Sequence, residues 1–276
     1  MAPILLHLAA AAVYAGLAAY SWRSRWQGTS LDRPATPLTQ PERSGLLAAL
    51  VLHGLGLSRE VFPGDGMHFG FSIAVSLILW LAIALYWIES FYARMEGLQM
   101  LGLPAAAIAV TFPALFPAQH LLANAGSIQF RAHFLVAMLA YSLFTLAALH
   151  AVLMAIAEKR LHKGRLTPLL ASLPPLLTME ALLFRLIHIA FALLTLTLAS
   201  GVLFSESLFG KAMTLNHKTV FAILSWFIFA HLLAGRHFRG WRGRKALRWT
   251  LAGFGALLLA YVGSRFVLEV LLGRVT

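Results

Sequence analysis

Apolar residues run along this chain in long stretches separated by polar, basic or Pro-containing links. Most of the stretches approach the ~20 apolar residues that a helix needs to cross the hydrocarbon core of a bilayer. The pattern predicts an all-α, polytopic integral membrane protein with about eight transmembrane helices in a single membrane domain, residues 1–276. The predicted spans are 3–22, 45–57, 68–92, 99–117, 131–157, 176–204, 216–235 and 246–272.

Composition limits the class of protein. The 276 residues are 60% hydrophobic and 12% charged, with a mean hydropathy of +0.78, whereas a soluble domain is roughly 25% charged. This excludes an aqueous enzyme, a DNA-binding module and a secreted disulfide scaffold. The chain has no cysteine, which excludes thiolate catalysis and Cys-ligated zinc or iron–sulfur clusters. Any metal chemistry must therefore use the 11 histidines and the few carboxylates.

The distribution of charge predicts the topology. Basic residues outnumber acidic ones by 22 to 10, and most of them lie in the first, third, fifth and seventh links between spans. By the positive-inside rule those links are cytoplasmic, so both termini are expected outside. The seventh link is the most basic, contains Trp241 and borders Trp249. We expect it to anchor the chain at the inner leaflet through anionic membrane lipid, with no nucleic-acid partner.

Histidines at the outer ends of the predicted spans are the candidate cofactor ligands. A neutral imidazole suits haem iron because it brings no charge into the membrane. His133 opens the fifth span and shares a helix face with Ala137, Ala140 and Phe144. A flat macrocycle can lie against such small alanines, although the same alanines are typical of a helix-packing seam, with His133 an ordinary interfacial histidine.

Two further histidines are candidate counterparts of His133 in binding haem iron. His217 lies in the first turn of the seventh span, where Asn216 is a good N-cap, so helix capping alone also explains this segment. His53 is followed by Gly54, and a glycine beside a buried histidine permits close approach of a ligand or of another helix. His133, His53 and His217 are therefore the candidate haem-iron ligands, and plain packing is the alternative for each.

The charged residues favour a binding protein over a catalyst. Both aspartates lie in links and no glutamate lies at mid-membrane depth, so the relay groups of a proton-coupled transporter are missing. No nucleotide-binding loop, zinc-protease motif or Ser-His-Asp spacing occurs. We therefore expect no enzyme activity. Arg185 is expected to pair with Glu180 or Glu89, and Arg265 with Glu269 four residues later; these last five residues are structural in this interpretation.

Four runs in the second half of the chain carry a family resemblance. They are Phe191–Gly201 (FALLTLTLASG), Asn216–Phe221 (NHKTVF), Gly240–Arg244 (GWRGR) and Tyr261–Arg265 (YVGSR). Together with His133 and the pair Leu52-His53, they make the chain similar to the cytochrome c assembly family of membrane proteins. Within that family it resembles the YpjD inner-membrane branch, which is related to the CcsA, CcmC and HemX haem-handling proteins.

The resemblance implies haem handling at the outer face of a bacterial inner membrane, with His133 matching the histidine that opens the fifth span of the relatives. Other membrane or cytochrome assembly proteins are then the expected partners. One feature departs from the family: the relatives carry a Trp-rich outer loop, whereas residues 204–215 contain no tryptophan. This departure weakens the case for haem presentation to an apocytochrome and leaves haem binding and assembly support open.

Two other functions fit the sequence. A transmembrane b-type electron carrier would stack two haems between His217 and His231 on one helix and His133 and His150 on another, although the second pair is about 100° apart on the helical wheel. A cofactor-free membrane assembly scaffold is the third possibility. Haem content distinguishes the three, because they require one haem, two haems and none.

Overall fold

The computed structural model describes residues 2–26, 37–64, 66–92, 97–117, 120–122, 125–162, 173–205 and 216–273. Within these ranges all regular structure is helical, apart from one bridge between His68 and Leu121. The helices are α1 (Ala2–Ser21), α2 (Gln40–Val61), α3 (Phe71–Glu89), α4 (Gln99–Ala109), α5 (Phe112–Leu115), α6 (Ile128–His162), α7 (Leu176–Leu203), α8 (His217–Arg239) and α9 (Gly243–Leu258). The last helix continues to Leu271 through two π-helical turns, Leu259–Gly263 and Val267–Leu271.

Each predicted span contains helix, and six helical stretches of the described residues are long and apolar enough to cross a membrane. The chain is therefore a multi-pass helical membrane protein. The six are Ile4–Ser24, Phe71–Glu89, Ile128–His162, Leu176–Leu203, His217–Arg239 and Gly243–Leu271. The stretch Gln99–Leu115 is shorter, and α2 carries charged residues at both ends. The total of eight spans and the outward termini remain predictions.

Local capping makes α2 longer than the apolar run 45–57 indicates. Its N-terminus has a capping box, in which the Thr39 backbone N–H and hydroxyl donate to Glu42 Oε2 over 2.7 and 2.9 Å. At its other end the Phe62 N–H donates to the Ser58 carbonyl over 3.0 Å, and Pro63 follows. The capping box thus extends the helix before its hydrophobic segment, and the polar last turn, Ser58–Glu60, extends it beyond that segment.

Helix α6 forms the centre of the bundle. It packs against α3, α4, α7 and α9, and Phe144, Leu146 and Leu153 on it are fully buried. Helix α8 closes one side by packing between α7 and α9, and α1 packs on α2 and α4 on the other side. The bundle has two ends: the His133 end, which contains His133 and Ser200, and the opposite end, which contains Glu180.

Candidate functional site

His133 lies near the start of α6, and a hydroxyl on α7 holds its ring. The His133 Nδ1 is 2.8 Å from Ser200 Oγ, and the Ser200 hydroxyl donates its own proton to the Thr197 carbonyl over 3.1 Å. When the Ser200 proton goes to Thr197, Ser200 Oγ accepts from an Nδ1–H group. In that tautomer the neutral imidazole carries its lone pair on Nε2, which is the arrangement that orients metal-binding histidines in proteins.

The alanine face below His133 is a packing seam. Ala137 and Ala140 are buried, and the fully buried Phe144 stacks on Phe229 with 4.0 Å between ring centroids. The interpretation of this face as the bed of a macrocycle is therefore wrong, because helix α8 already occupies the space beside Phe144. The His133 ring itself lies against Gly201, where an added Cβ would be 3.6 Å from His133 Cε1.

His217 reaches the same end of the bundle from α8. Asn216 caps this helix through its Oδ1, which accepts from the Thr219 N–H over 3.1 Å, and His217 is exposed. Further along α8, Trp226 Nε1 donates to Thr195 Oγ1 of α7 over 2.9 Å. At 1.5 Å per residue, His217 lies about 13 Å beyond Trp226, roughly one turn beyond the depth of Ser200. The capping prediction is confirmed, and capping leaves the His217 ring exposed.

A polar group borders the His133 end on the last helix. Glu269 accepts the first N–H of α3, from Phe71, over 2.8 Å and pairs with Arg265 at 3.5 Å, as the four-residue spacing predicts. The Lys218 ammonium lies 5.8 Å from the ring centre of Tyr261. Burial lowers the pKa of the loop residue His120 below its ordinary value, and the positive charges of Arg265 and Lys218 lower it further. This corner therefore combines two positive charges, Arg265 and Lys218, with the one negative charge of Glu269.

His53 lies away from His133, between α1 and α3. Its ring is fully buried, with Nε2 2.8 Å from Ser76 Oγ and Nδ1 3.4 Å from the Tyr14 hydroxyl. Both ring nitrogens therefore already have polar neighbours within the helix bundle. His53 therefore fits the packing alternative, in which it is a core histidine whose ring nitrogens have polar neighbours.

His7 is a buried polar residue that the sequence interpretation missed. Its ring is fully buried against Gly56, where an added Cβ would lie 2.9 Å from His7 Cε1, and neither ring nitrogen has a hydrogen-bond partner. Its Nε2 is 3.8 Å from Glu60 Oε1. The signal was present, because His7 and Tyr14 share one face of α1, while His53, Gly56 and Glu60 share one face of α2.

Two of the four histidines that an electron carrier would need, His150 and His231, contact other groups of the protein. His150 Nε2 donates to the Met179 carbonyl over 2.9 Å. The His231 ring meets the rings of Trp241 and Trp249 edge-on, with 5.0 and 4.8 Å between centroids. The described residues hold no group of three or more histidines or carboxylates arranged to bind a bare metal ion. An iron held by one or two histidines in a porphyrin needs no such group.

The opposite end of the bundle is built on ion pairs. The buried Glu180 accepts from Arg236 at 2.8 Å and from Arg242 at 3.4 Å, and it also accepts the Gly243 N–H. Arg185, one turn further along α7, pairs with Glu89 of α3. Of the two predicted partners for Arg185, the structure therefore selects Glu89, and Glu180 holds the α8–α9 turn.

Comparison with known proteins relates this arrangement to one family. The model of the family described as "Cytochrome C assembly protein" matches residues 43–272. The inner membrane protein YpjD of Escherichia coli K12 is 30% identical over 230 residues, which cover 81% of this chain and 84% of YpjD. The cytochrome c biogenesis protein CcsA of Gloeobacter violaceus is 31% identical over 92 residues, or 33% of this chain and 27% of CcsA.

A 28.8 kDa protein of Azospirillum brasilense is 35% identical over 159 residues, which cover 57% of this chain and 58% of that protein. No solved structure gives a significant match. The family match extends from the start of α2 to the end of the last helix and includes His53, His133 and His217. The chain belongs to the cytochrome c assembly protein family.

Proposed function

We propose that this protein binds haem at the outer face of the bacterial inner membrane during cytochrome c assembly, with His133 Nε2 as a ligand of the iron. It acts as a binding and delivery protein and performs no catalysis. His217 is the proposed second ligand. The family membership supports the role in assembly, and the naming of YpjD as an inner membrane protein supports the location.

The observation that carries the proposal is the hydrogen-bonded order from His133 to Ser200 to Thr197. It supports a tautomer of His133 with its hydrogen on Nδ1 and its lone pair on Nε2, which places no charge in the membrane. Such outer partners orient a ligand and raise its basicity, and their loss commonly costs 10–100-fold in metal affinity. Ser200 is therefore a positioning residue for His133.

The residues at the His133 end fit a porphyrin in type. Iron accepts neutral imidazole nitrogen, and the bound haem supplies a tightly held iron whose protein ligands can be exchanged. Lys218 lies at the same end, and its positive charge complements the carboxylates of a haem. His53 is a weaker candidate than His217, because a ligand role requires breaking its contact with Ser76 or Tyr14.

The direct test is the visible absorption spectrum of full-length protein purified from haem-replete cells. We expect a Soret band and about one haem per chain on this ligation scheme. His133→Ala should abolish most of the band and His217→Ala should weaken or shift it. His162→Ala, at the far exposed end of the same helix, is the matched control and should change nothing. A colourless wild-type protein, or an unchanged His133→Ala spectrum, contradicts the proposal.

Ser200→Ala separates positioning from ligation. We expect this variant to retain haem with roughly 10-fold lower affinity and a shifted reduction potential, since the Nδ1–H loses its acceptor. Ser200→Thr, which keeps the hydroxyl, should restore both properties. A Ser200→Ala protein with wild-type affinity and potential contradicts the positioning role while leaving His133 as a ligand.

His53→Ala tests the remaining candidate. If His53 is a core residue, the variant melts at a lower temperature but binds haem with an unchanged spectrum per folded molecule. Loss of the Soret band from a folded His53→Ala protein would instead make His53 the ligand. Two haems per chain would favour the electron carrier, and none would favour the scaffold.

A further inference from the structure

Residues 236–248, called the basic turn, join α8 to α9 and carry a strong excess of positive charge. They contain six basic residues and no acidic residue: Arg236, Arg239, Arg242, Arg244, Lys245 and Arg248. Only three of the six have a carboxylate partner among the residues that the structure describes. Glu180 pairs with Arg236 and Arg242, and Glu158 pairs with Arg244 at 2.9 Å.

The other three bases are exposed and face outward from the protein. Arg239, Lys245 and Arg248 form no ion pair with a described carboxylate, and the ammonium of Lys245 lies 3.6 Å from the centre of the Trp241 ring. A cation on the face of an indole keeps its outer side available to an anion. These three positive charges therefore form an uncompensated patch on the surface.

The turn under this patch is rigidly packed. Trp241 is buried and stacks on Trp249 with 6.1 Å between centroids, and its ring lies so close to Gly235 that an added Cβ would be 2.4 Å away. Gly240 adopts a φ of 62° and its N–H donates to the Arg236 carbonyl over 3.2 Å. The charges are thus held on a preformed platform, which lowers the entropic cost of binding.

Apolar surface continues from the patch. Phe238, beside Arg239, is 81% exposed, and Phe227, three turns earlier on α8, is 61% exposed. Indole rings favour the level of the lipid headgroups, where one side is apolar and the other is wet. A soluble anion would use the charges and gain nothing from the apolar neighbours, whereas a phospholipid uses both.

We propose that the basic turn is a binding site for anionic phospholipid, in which Lys245 and Arg248 bind the headgroup phosphate and the neighbouring aromatic surface contacts the acyl chains. Arg239 adds a third positive charge to the rim. This inference is independent of haem binding, since the basic turn lies about 30 Å from Ser200 along α7, at the level of Glu180.

The test uses the full-length protein in detergent with an equimolar mixture of phosphatidylglycerol and phosphatidylcholine, and native mass spectrometry counts the lipids retained. Wild type should prefer phosphatidylglycerol. Lys245→Gln with Arg248→Gln should lower that preference roughly 25-fold, about five-fold for each charge. The exchanged variant, Lys245→Arg with Arg248→Lys, should keep it.

Arg59→Gln with Arg131→Gln is the matched control, since it removes two exposed bases from the other end of the bundle. It should change the preference less than about two-fold if the interaction is local. Equal losses in the two double variants, or no loss in either, would overturn the site. Displacement of phosphatidylglycerol by inorganic phosphate or by a short RNA would also overturn it, because the patch would then bind soluble anions. Only variants with the melting temperature and haem content of the wild type are compared. A negative lipid result therefore leaves the haem proposal untouched.

Discussion

The two ends of α7 differ in how their polar groups are satisfied. At Glu180, a buried carboxylate, two arginines and a backbone N–H form a charged network that fixes the next turn of chain. At Ser200, about 30 Å away, a hydroxyl links a neutral imidazole to a backbone carbonyl. The first arrangement neutralises charge within the protein and stabilises it. The second orients the His133 ring, which is the proposed haem ligand, without using a charge.

The comparison predicts different roles for the two ends of α7. Ion pairs under a rigid turn lock one end in place, and binding sites are commonly drawn from the less firmly held part of a structure. Substitutions at the Glu180 end should therefore act first on stability. Substitutions at the His133 end should act first on ligand binding, and three stability measurements test this division.

The largest effect is expected for Glu180→Gln. It removes the charge that both Arg236 and Arg242 share, so a partly buried guanidinium loses its partner at a cost of about 3 kcal/mol. Thermal melting of the purified protein should show a marked decrease. Glu158→Gln is the matched control, because its partner Arg244 is 60% exposed and such a pair contributes at most about 1 kcal/mol. Equal decreases in melting temperature for the two variants would mean that the Glu180 ion pairs stabilise the protein no more than the exposed pair does.

A smaller effect is expected for Gly235→Ala. The added methyl group would lie 2.4 Å from the Trp241 ring, and such overpacking costs roughly 1–3 kcal/mol. Gly255→Ala is the control, since nothing lies within 4 Å of its added Cβ and alanine is about 1 kcal/mol better than glycine in a helix interior. Melting temperatures should move in opposite directions. An unchanged melting temperature of Gly235→Ala would show that the packing of the turn adjusts to the added methyl group.

The smallest effect is a pH dependence at the His133 end. Burial, with Arg265 and Lys218, lowers the pKa of His120 below its ordinary 6.5. The unfolded chain therefore takes up a proton at a higher pH than the folded protein does, so stability is lost as the pH falls below 6.5 towards the folded pKa. His120→Gln should flatten this part of the melting curve against pH. An unchanged slope would assign the pH dependence to another group.

Much of the helical framework could be predicted from the sequence. A continuous apolar segment satisfies all its backbone hydrogen bonds within a bilayer by forming a helix. The pairing of Arg265 with Glu269 was also predictable, since a four-residue spacing is local. The periodicity of the sequence could not show which group packs against each helix face. The alanines below His133 suit a macrocycle and a neighbouring helix equally well, and only their burial in the assembled bundle distinguishes the two.

The buried His7 and His53 show the same limit. Neither has a local partner on its own helix, and the contacts of His7 with Gly56 and of His53 with Tyr14 form only when α1 docks on α2. Ser200 was equally hidden, because a serine in an apolar run has no signature until the histidine opposite is known. The position of His133 at a helix end was thus enough to predict it as a candidate ligand. Its hydrogen-bond partner Ser200 could be identified only from the folded structure.

The docking of α1 has a consequence for dissecting the protein. The family match begins at residue 43, yet α1, which precedes it, supplies the Tyr14 neighbour of His53 and covers Gly56 with His7. A truncated chain that starts at the match would expose this seam to lipid and leave a polar histidine without its cover. Studies of isolated segments should therefore keep the first helix attached.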